Sequence, residues 1–324
     1  MFAGGTVLAA DSLYVDFKVP RGPFARQDLH ALAGVSLRLR AGACLGVVGE
    51  SGCGKSTLAR ALLRLVPLSG GAVRWLDRDI TKLSARELRP LRRFVQFVAQ
   101  DPAGSLDPRR TMASTIAELI HVHEPRVSRD ESLARVHEAM QQVGLDARLA
   151  DRLPHELSGG QAQRVGIARA LAVRPKVLIC DEPVSALDVS VQAQIVNLLL
   201  RLKDELGLAL VFISHNLAVV RQLADEVMVL YLGRVLERGD ADAIYGQPRH
   251  PYTRALLEAV PTPGPHVARP HPLARGEPPS PTAPPSGCVY HPRCPHAQDL
   301  CRATRPHLAA TGTGFVGCHY WESL

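Results

Sequence analysis

Gly49-Glu50-Ser51-Gly52-Cys53-Gly54-Lys55-Ser56-Thr57 is the stretch that decides the fold. A glycine, four residues and then Gly-Lys-Ser is the spacing of a loop that wraps phosphate. The glycines let backbone N–H groups turn inward, where a side chain would block a phosphate oxygen. Lys55 is a mobile cation that can reach the β- and γ-phosphates, and Ser56 offers a hydroxyl to Mg²⁺. Ser51, Gly52, Cys53, Gly54 and Thr57 complete the cradle. An apolar run, Cys44 to Val48, precedes the loop, and a helical stripe at Leu58, Leu62 and Leu65 follows it. That strand–loop–helix context separates a nucleoside triphosphate site from a glycine-rich turn that binds nothing.

Val177-Leu178-Ile179-Cys180-Asp181-Glu182 is an apolar strand that ends in two carboxylates. Ligands bind at the C-terminal edge of a parallel sheet. Asp181 is placed to hold Mg²⁺. Glu182, the next residue, faces differently and can act as the base that activates water against the γ-phosphate. An Asp-Glu-Pro string can simply cap a strand and open a turn, but the phosphate loop upstream favours the catalytic reading. Ser214-His215 ends another buried apolar strand, from which His215 can donate to the γ-phosphate.

Buried strands at 44–48, 94–98, 177–180 and 208–213 alternate with helices at 56–66, 159–173 and 189–206. This predicts an α/β fold with a parallel sheet covered on both faces. Val35, Leu37 and Leu39 alternate with polar residues, as in a half-exposed strand. The stretch 105–157, with helices at 110–122 and 129–143, interrupts the alternation and reads as an inserted helical lobe.

Thirty-eight basic and 31 acidic residues leave a net charge of +7. This suits a nucleotide, a membrane surface or nucleic acid as partner, or simply an arginine-rich surface. There is no run of 18 apolar residues, so no spanning helix is expected. The N-terminus lacks the basic start of a secretion signal, so a cytosolic location without disulfides is expected. The composition shifts at Pro261. Residues 261–286 are proline-rich and read as an extended linker. Four of the seven cysteines, Cys288, Cys294, Cys301 and Cys318, follow within 287–324.

The order of phosphate loop, Gln100, Leu157-Ser158-Gly159-Gly160-Gln161, acidic strand end, Ser185-Ala186-Leu187-Asp188 and His215 resembles an ATP-binding cassette protein. The resemblance runs from Val7 to about Val260. It implies a P-loop NTPase cassette over 1–260, with an antiparallel β subdomain and the helical lobe. It also implies a head-to-tail dimer, each ATP lying between one subunit's phosphate loop and the other's Ser158, Gly160 and Gln161. Physically, Ser158, Gly159 and Gly160 open a helix and present donors to an anion. A second anion site makes sense if it faces another subunit's nucleotide. By the same resemblance Gln100 senses Mg²⁺ and the attacking water, Asp188 signals across the dimer, and adenine stacks on Phe17 or, as runner-up, Tyr14. Ala99 and Asn216 depart from the family's Phe and Asp, but neither position carries chemistry.

His250-Pro251-Tyr252-Thr253-Arg254-Ala255-Leu256-Leu257, the GEPPSP string at 276–281 and QDPAGSLDPR from Gln100 to Arg109 are similar to oligopeptide and dipeptide importer ATPases, of the second-subunit type. The resemblance implies a heterodimer with another ATP-binding subunit, two transmembrane permeases and an extracytoplasmic solute-binding protein. The chain would sit peripherally on the cytoplasmic face of the membrane, with no direct nucleic acid partner. Two alternatives stay open: an importer of nickel or other small solutes, and a soluble cassette ATPase acting on nucleic acid or the ribosome.

Five, six and sixteen residues separate the four tail cysteines. So short a segment needs a staple. Four thiolates suit either Zn²⁺ or a [4Fe–4S] cluster. The absence of close C-x₂-C pairs and similar cysteine tails in peptide importer ATPases favour the cluster. His291, His296 and His319 keep zinc open.

Overall fold

The computed structural model describes residues 5–21, 25–101, 104–260 and 277–324. Residues 261–276 of the predicted linker at 261–286 lie outside them. The described chain forms two compact units. One takes Arg38–Cys44 and Arg74–Ile213, with the start of the chain through Ala9; the other takes Ala10–Leu37, Leu45–Val73 and Ser214–Leu324. The long strands Thr6–Pro20 and Arg26–Arg40 share a four-stranded sheet with Gly70–Trp75 and Arg78–Asp79. In the second of these, Val35, Leu37 and Leu39 are buried and the intervening Ser36 and Arg38 exposed, following the sequence alternation.

In the first unit the strands Val95–Val98, Val177–Asp181 and Ala209–Ile213 pair in parallel, with Val95 opposite Val177 and Asp181 opposite Ile213. Every residue of the latter two strands is buried. That is why they read as continuous apolar runs rather than alternating ones. The helix Val189–Leu206 buries Ile195, Val196, Leu198, Leu199 and Leu202, and stops at Gly207 in left-handed backbone. The helical lobe forms as expected, with helices Met112–His123 and Arg129–Gln142. Both pack on Gly159–Leu171, so this helix ties the lobe to the strand that follows.

In the second unit the strand Cys44–Val48 runs parallel to Glu226–Tyr231, with Val48 opposite Val229. Arg234–Asp240 pairs antiparallel with Glu226–Tyr231. The tail then joins the same sheet, because Gly314–Val316 pairs antiparallel with Arg234–Asp240, placing Val316 opposite Glu237, and Ala309–Thr311 adds beyond it. A segment with too little apolar sequence for its own core extends an existing sheet edge instead.

One helix is shorter than its apolar stripe predicts. It spans Lys55–Leu62, not 56–66, and Leu65 is 53% exposed. Arg64 adopts left-handed backbone at φ 52°. Leu65 N–H bonds to Arg60 O at 2.8 Å and Arg64 N–H to Ala61 O at 3.0 Å. This pair of bonds closes the last turn and diverts the chain well before Pro67.

Candidate nucleotide-binding site

The phosphate loop lies in the second unit, between the buried strand Cys44–Val48 and the helix Lys55–Leu62. Gly49 and Gly54 have φ of +152° and +107°. A Cβ on Gly49 would meet Leu230 O at 2.2 Å, and one on Gly54 would meet Ala31 O at 2.6 Å. Both positions therefore demand glycine. No side chain caps the start of this helix at Gly54, and a helix N-terminus is a favourable place for an anion. The buried Lys55 Nζ donates to Gly49 O at 2.8 Å and Glu50 O at 3.0 Å. The ammonium is thus held over the loop's carbonyls. Ser51 and Gly52 are exposed, and Ser56 and Thr57 half-buried. Burial pushes the Cys53 thiol above its ordinary pKa, against the pull of Lys55.

Tyr14 and Phe17 both lie on the strand Thr6–Pro20, three residues apart and so on opposite faces. Tyr14 lies against Gly34 and Gly70, and Phe17 is half-buried. His215 is exposed beyond the buried Ser214. Asn216 has a structural task. Its Oδ1 accepts from Ala218 N–H at 3.0 Å and Val219 N–H at 3.4 Å, capping the helix Leu217–Leu223.

In the first unit the structure brings Gln100 to Glu182, whose Oε2 accepts from Gln100 Nε2 at 3.4 Å. Asp181 is buried at the strand end. Glu182 turns the chain with φ 47° and donates its N–H to Ile213 O at 2.9 Å. A glutamate in left-handed backbone is strained, and such strain collects at working positions. Ser158 caps the helix Gly159–Leu171: its Oγ accepts from Gln161 N–H at 3.3 Å, and Gln161 Oε1 accepts from Ser158 N–H at 2.9 Å. Ser158 and Gly159 face solvent, and Asp188, also exposed, opens the helix Val189–Leu206.

Sequence reasoning missed what surrounds Glu50. Its backbone N–H donates to Tyr252 Oη at 2.9 Å, and its carboxylate Oε2 accepts from Arg293 Nη1 at 2.8 Å. Arg293 Nη1 also donates to Tyr231 Oη at 3.3 Å. These residues lie some two hundred positions from the loop, so no local pattern could connect them.

The tail cysteines converge. Cys288, Cys294, Cys301 and Cys318 line one small cavity of about 20 Å³ together with His250, His291, His296 and His319. Burial raises the thiols of Cys288, Cys318 and Cys294, the last to about 11. His291 Nδ1 is hydrogen-bonded with Cys288 O and His319 Nε2 with Thr304 O. Among the described residues, no three His, Cys, Asp or Glu side chains form a group that could hold a metal ion. The expectation of a metal site therefore finds convergence of thiols here, without a coordination geometry.

Comparison with known proteins agrees with this architecture. Residues 32–185 match the ABC transporter family, and residues 236–301 match the C-terminal region of oligopeptide/dipeptide transporters. The oligopeptide transport ATP-binding protein OppF of Salmonella typhimurium is 52% identical over 90% of this chain and 88% of its own length. The di/tripeptide transport ATP-binding protein DppF of Pseudomonas aeruginosa is 47% identical over 98% and 99%. Among solved structures, the ATP-binding cassette MJ0796, dimeric and bound to ADP and Pi after hydrolysis, superposes with a TM-score of 0.65 at 29% identity, covering 72% of this chain and 98% of that one. The chain belongs to the ABC transporter family, in the branch of ATP-binding proteins of oligopeptide and dipeptide transport.

Proposed function

We propose that the chain is the ATP-hydrolysing subunit of an importer for short peptides. The observation that carries this is the phosphate loop with its buried Lys55 on a chain whose relatives are named for oligopeptide and di/tripeptide transport. The hydroxyl of Ser56, the amide oxygen of Gln100 and the carboxylate of Asp181 make an all-oxygen donor set, which suits Mg²⁺. That ion would neutralise charge on the phosphates. Lys55 and the N–H groups of Gly52, Gly54, Lys55, Ser56 and Thr57 bind the β- and γ-phosphates. Glu182, oriented by Gln100, takes a proton from the attacking water. His215 donates to the γ-phosphate, and Phe17, with Tyr14 as the alternative, receives adenine. Ser158, Gly160, Gln161 and Asp188 face the nucleotide of a companion subunit.

The partners are a second ATP-binding subunit, two permeases and an external solute-binding protein. The helical lobe at 105–157 receives the permease. No helix of the described residues is long and apolar enough to cross a membrane, and the chain docks peripherally on its cytoplasmic face. Proteoliposomes containing the full complex should accumulate a labelled dipeptide or oligopeptide only with ATP. Uptake of Ni²⁺ but of no peptide would overturn the substrate assignment.

The tail is proposed to carry a [4Fe–4S] cluster on Cys288, Cys294, Cys301 and Cys318, with Zn²⁺ as the alternative. Four thiols on one cavity supply the ligand set of such a cluster, and the bound metal would remove their protons and staple the tail. Anaerobic purification with metal analysis and a visible spectrum tests it. A brown protein with about four irons per chain is expected. One zinc in a colourless protein selects the alternative, and no metal removes both.

A further inference from the structure

Glu50 is the only acidic side chain in the loop Gly49 to Thr57. The loop's proposed ligand is a polyanion, so an uncompensated carboxylate there works against binding. Four hydrogen bonds hold this residue, one of them from Cys53 N–H to its C=O at 3.3 Å. Its N–H goes to Tyr252 Oη at 2.9 Å, its C=O accepts from Lys55 Nζ at 3.0 Å, and its carboxylate takes Arg293 Nη1 at 2.8 Å. The Arg293 side chain is only 6% exposed. Its guanidinium lies 5.9 Å from the centre of the Tyr231 ring and donates to that residue's hydroxyl. Tyr231, Tyr252 and Tyr290 pack edge-on or tilted against one another, with centroids 4.8–5.5 Å apart. Behind the loop there is therefore a packed aromatic wall, beside which one arginine meets one carboxylate. Arg293 belongs to the tail, one residue before Cys294 and three after Tyr290.

We propose that Arg293 is a positioning residue for nucleotide binding: the cysteine tail supplies the counter-charge that neutralises Glu50 and fixes the first turn of the phosphate loop. Tail and nucleotide site are thereby one device, and a tail that is absent or misfolded leaves a naked carboxylate in the triphosphate cradle. With its N–H given to Tyr252, Glu50 contributes no donor to phosphate, and binding falls to the N–H groups of Gly52, Gly54, Lys55, Ser56 and Thr57. This rests on the reading of the loop as an ATP site.

The test measures ATP and ADP affinity of the full chain by titration calorimetry. Arg293→Gln should weaken ATP about tenfold or more, and ADP less, because the exposed charge repels the more highly charged ligand more strongly. Arg293→Lys should retain most of the affinity. The double variant Arg293→Gln/Glu50→Gln, which leaves no unpaired carboxylate, should recover ATP affinity to within about threefold. If Arg293→Gln does not fold, the double variant decides alone. Wild-type affinity in Arg293→Gln, equal losses for ATP and ADP, or a double variant that binds weakly would each overturn the proposal. Wild-type protein that binds no ATP, or Lys55→Ala that binds it unchanged, would instead overturn the nucleotide reading itself.

Discussion

Glu182 occupies strained backbone at φ 47°, and its carboxylate accepts from Gln100 at 3.4 Å. If Glu182 is the base, as proposed, the amide partner keeps its lone pairs directed, and its removal should show in turnover rather than in binding. Glu182→Gln should lose about 10²–10⁴-fold in ATP turnover while still binding ATP. Near-normal hydrolysis by that variant in the assembled complex would remove Glu182 from its role. Lys55→Ala should weaken binding itself, since it strips a charge from the cradle. At this scale the sequence was largely legible. The phosphate loop, the strand end at Asp181 and Glu182, and the helix start at Ser158 can all be placed from spacing, because each depends on a few adjacent residues; the reciprocal Ser158–Gln161 cap was not read there. Arg293 and Tyr252 could not be read this way. Their meaning lies in contact with Glu50, and neither is near it in the chain.

Between elements, the lobe shows how polar contacts fasten packed helices. Glu124 follows the helix Met112–His123 and accepts from Arg135 of the helix Arg129–Gln142 at 2.8 Å. The same guanidinium donates to Ala172 O at 2.8 Å, beyond the helix Gly159–Leu171. One arginine therefore joins three helices. The hydrogen bond from Arg135 holds the Glu124 carboxyl below its ordinary pKa. The ionised form is favoured in the fold, so this contribution is complete above about pH 4.5 and is lost as pH falls through the lowered value. Glu124→Gln should cost roughly 1 kcal/mol at pH 7 and progressively less toward pH 3, measured by urea denaturation. A cost that does not change with pH would show that the contact acts through shape rather than charge. The lobe's helices were legible from their periodicity. The early stop of the helix after the phosphate loop was not, because the apolar stripe continues to Leu65 while the backbone turns at Arg64.

For the whole molecule, the exposed Ser158 and Gly159 and the phosphate loop make one chain half of a catalytic unit, on the proposed reading. The isolated chain should hydrolyse ATP poorly, and its activity should rise with added companion subunit and permeases. Ser158→Arg should abolish hydrolysis at the companion's nucleotide and leave this chain's own nucleotide bound. Full activity from a verified monomer, independent of concentration, would contradict the shared site.

The class of the protein is legible in its sequence, and so are the residue types on which the proposed chemistry rests. A phosphate loop between a buried strand and a helix, an apolar strand ending in Asp181 and Glu182, and the LSGGQ helix start are local patterns imposed by backbone geometry and charge. The use made of the tail is set by the three-dimensional fold. It adds Gly314–Val316 to the strand Arg234–Asp240 and sends Arg293 to Glu50. The physical reason is that a short, apolar-poor segment has no core to organise it. Its structure comes from the surface on which it is laid, and that surface is assembled from residues far away in the chain.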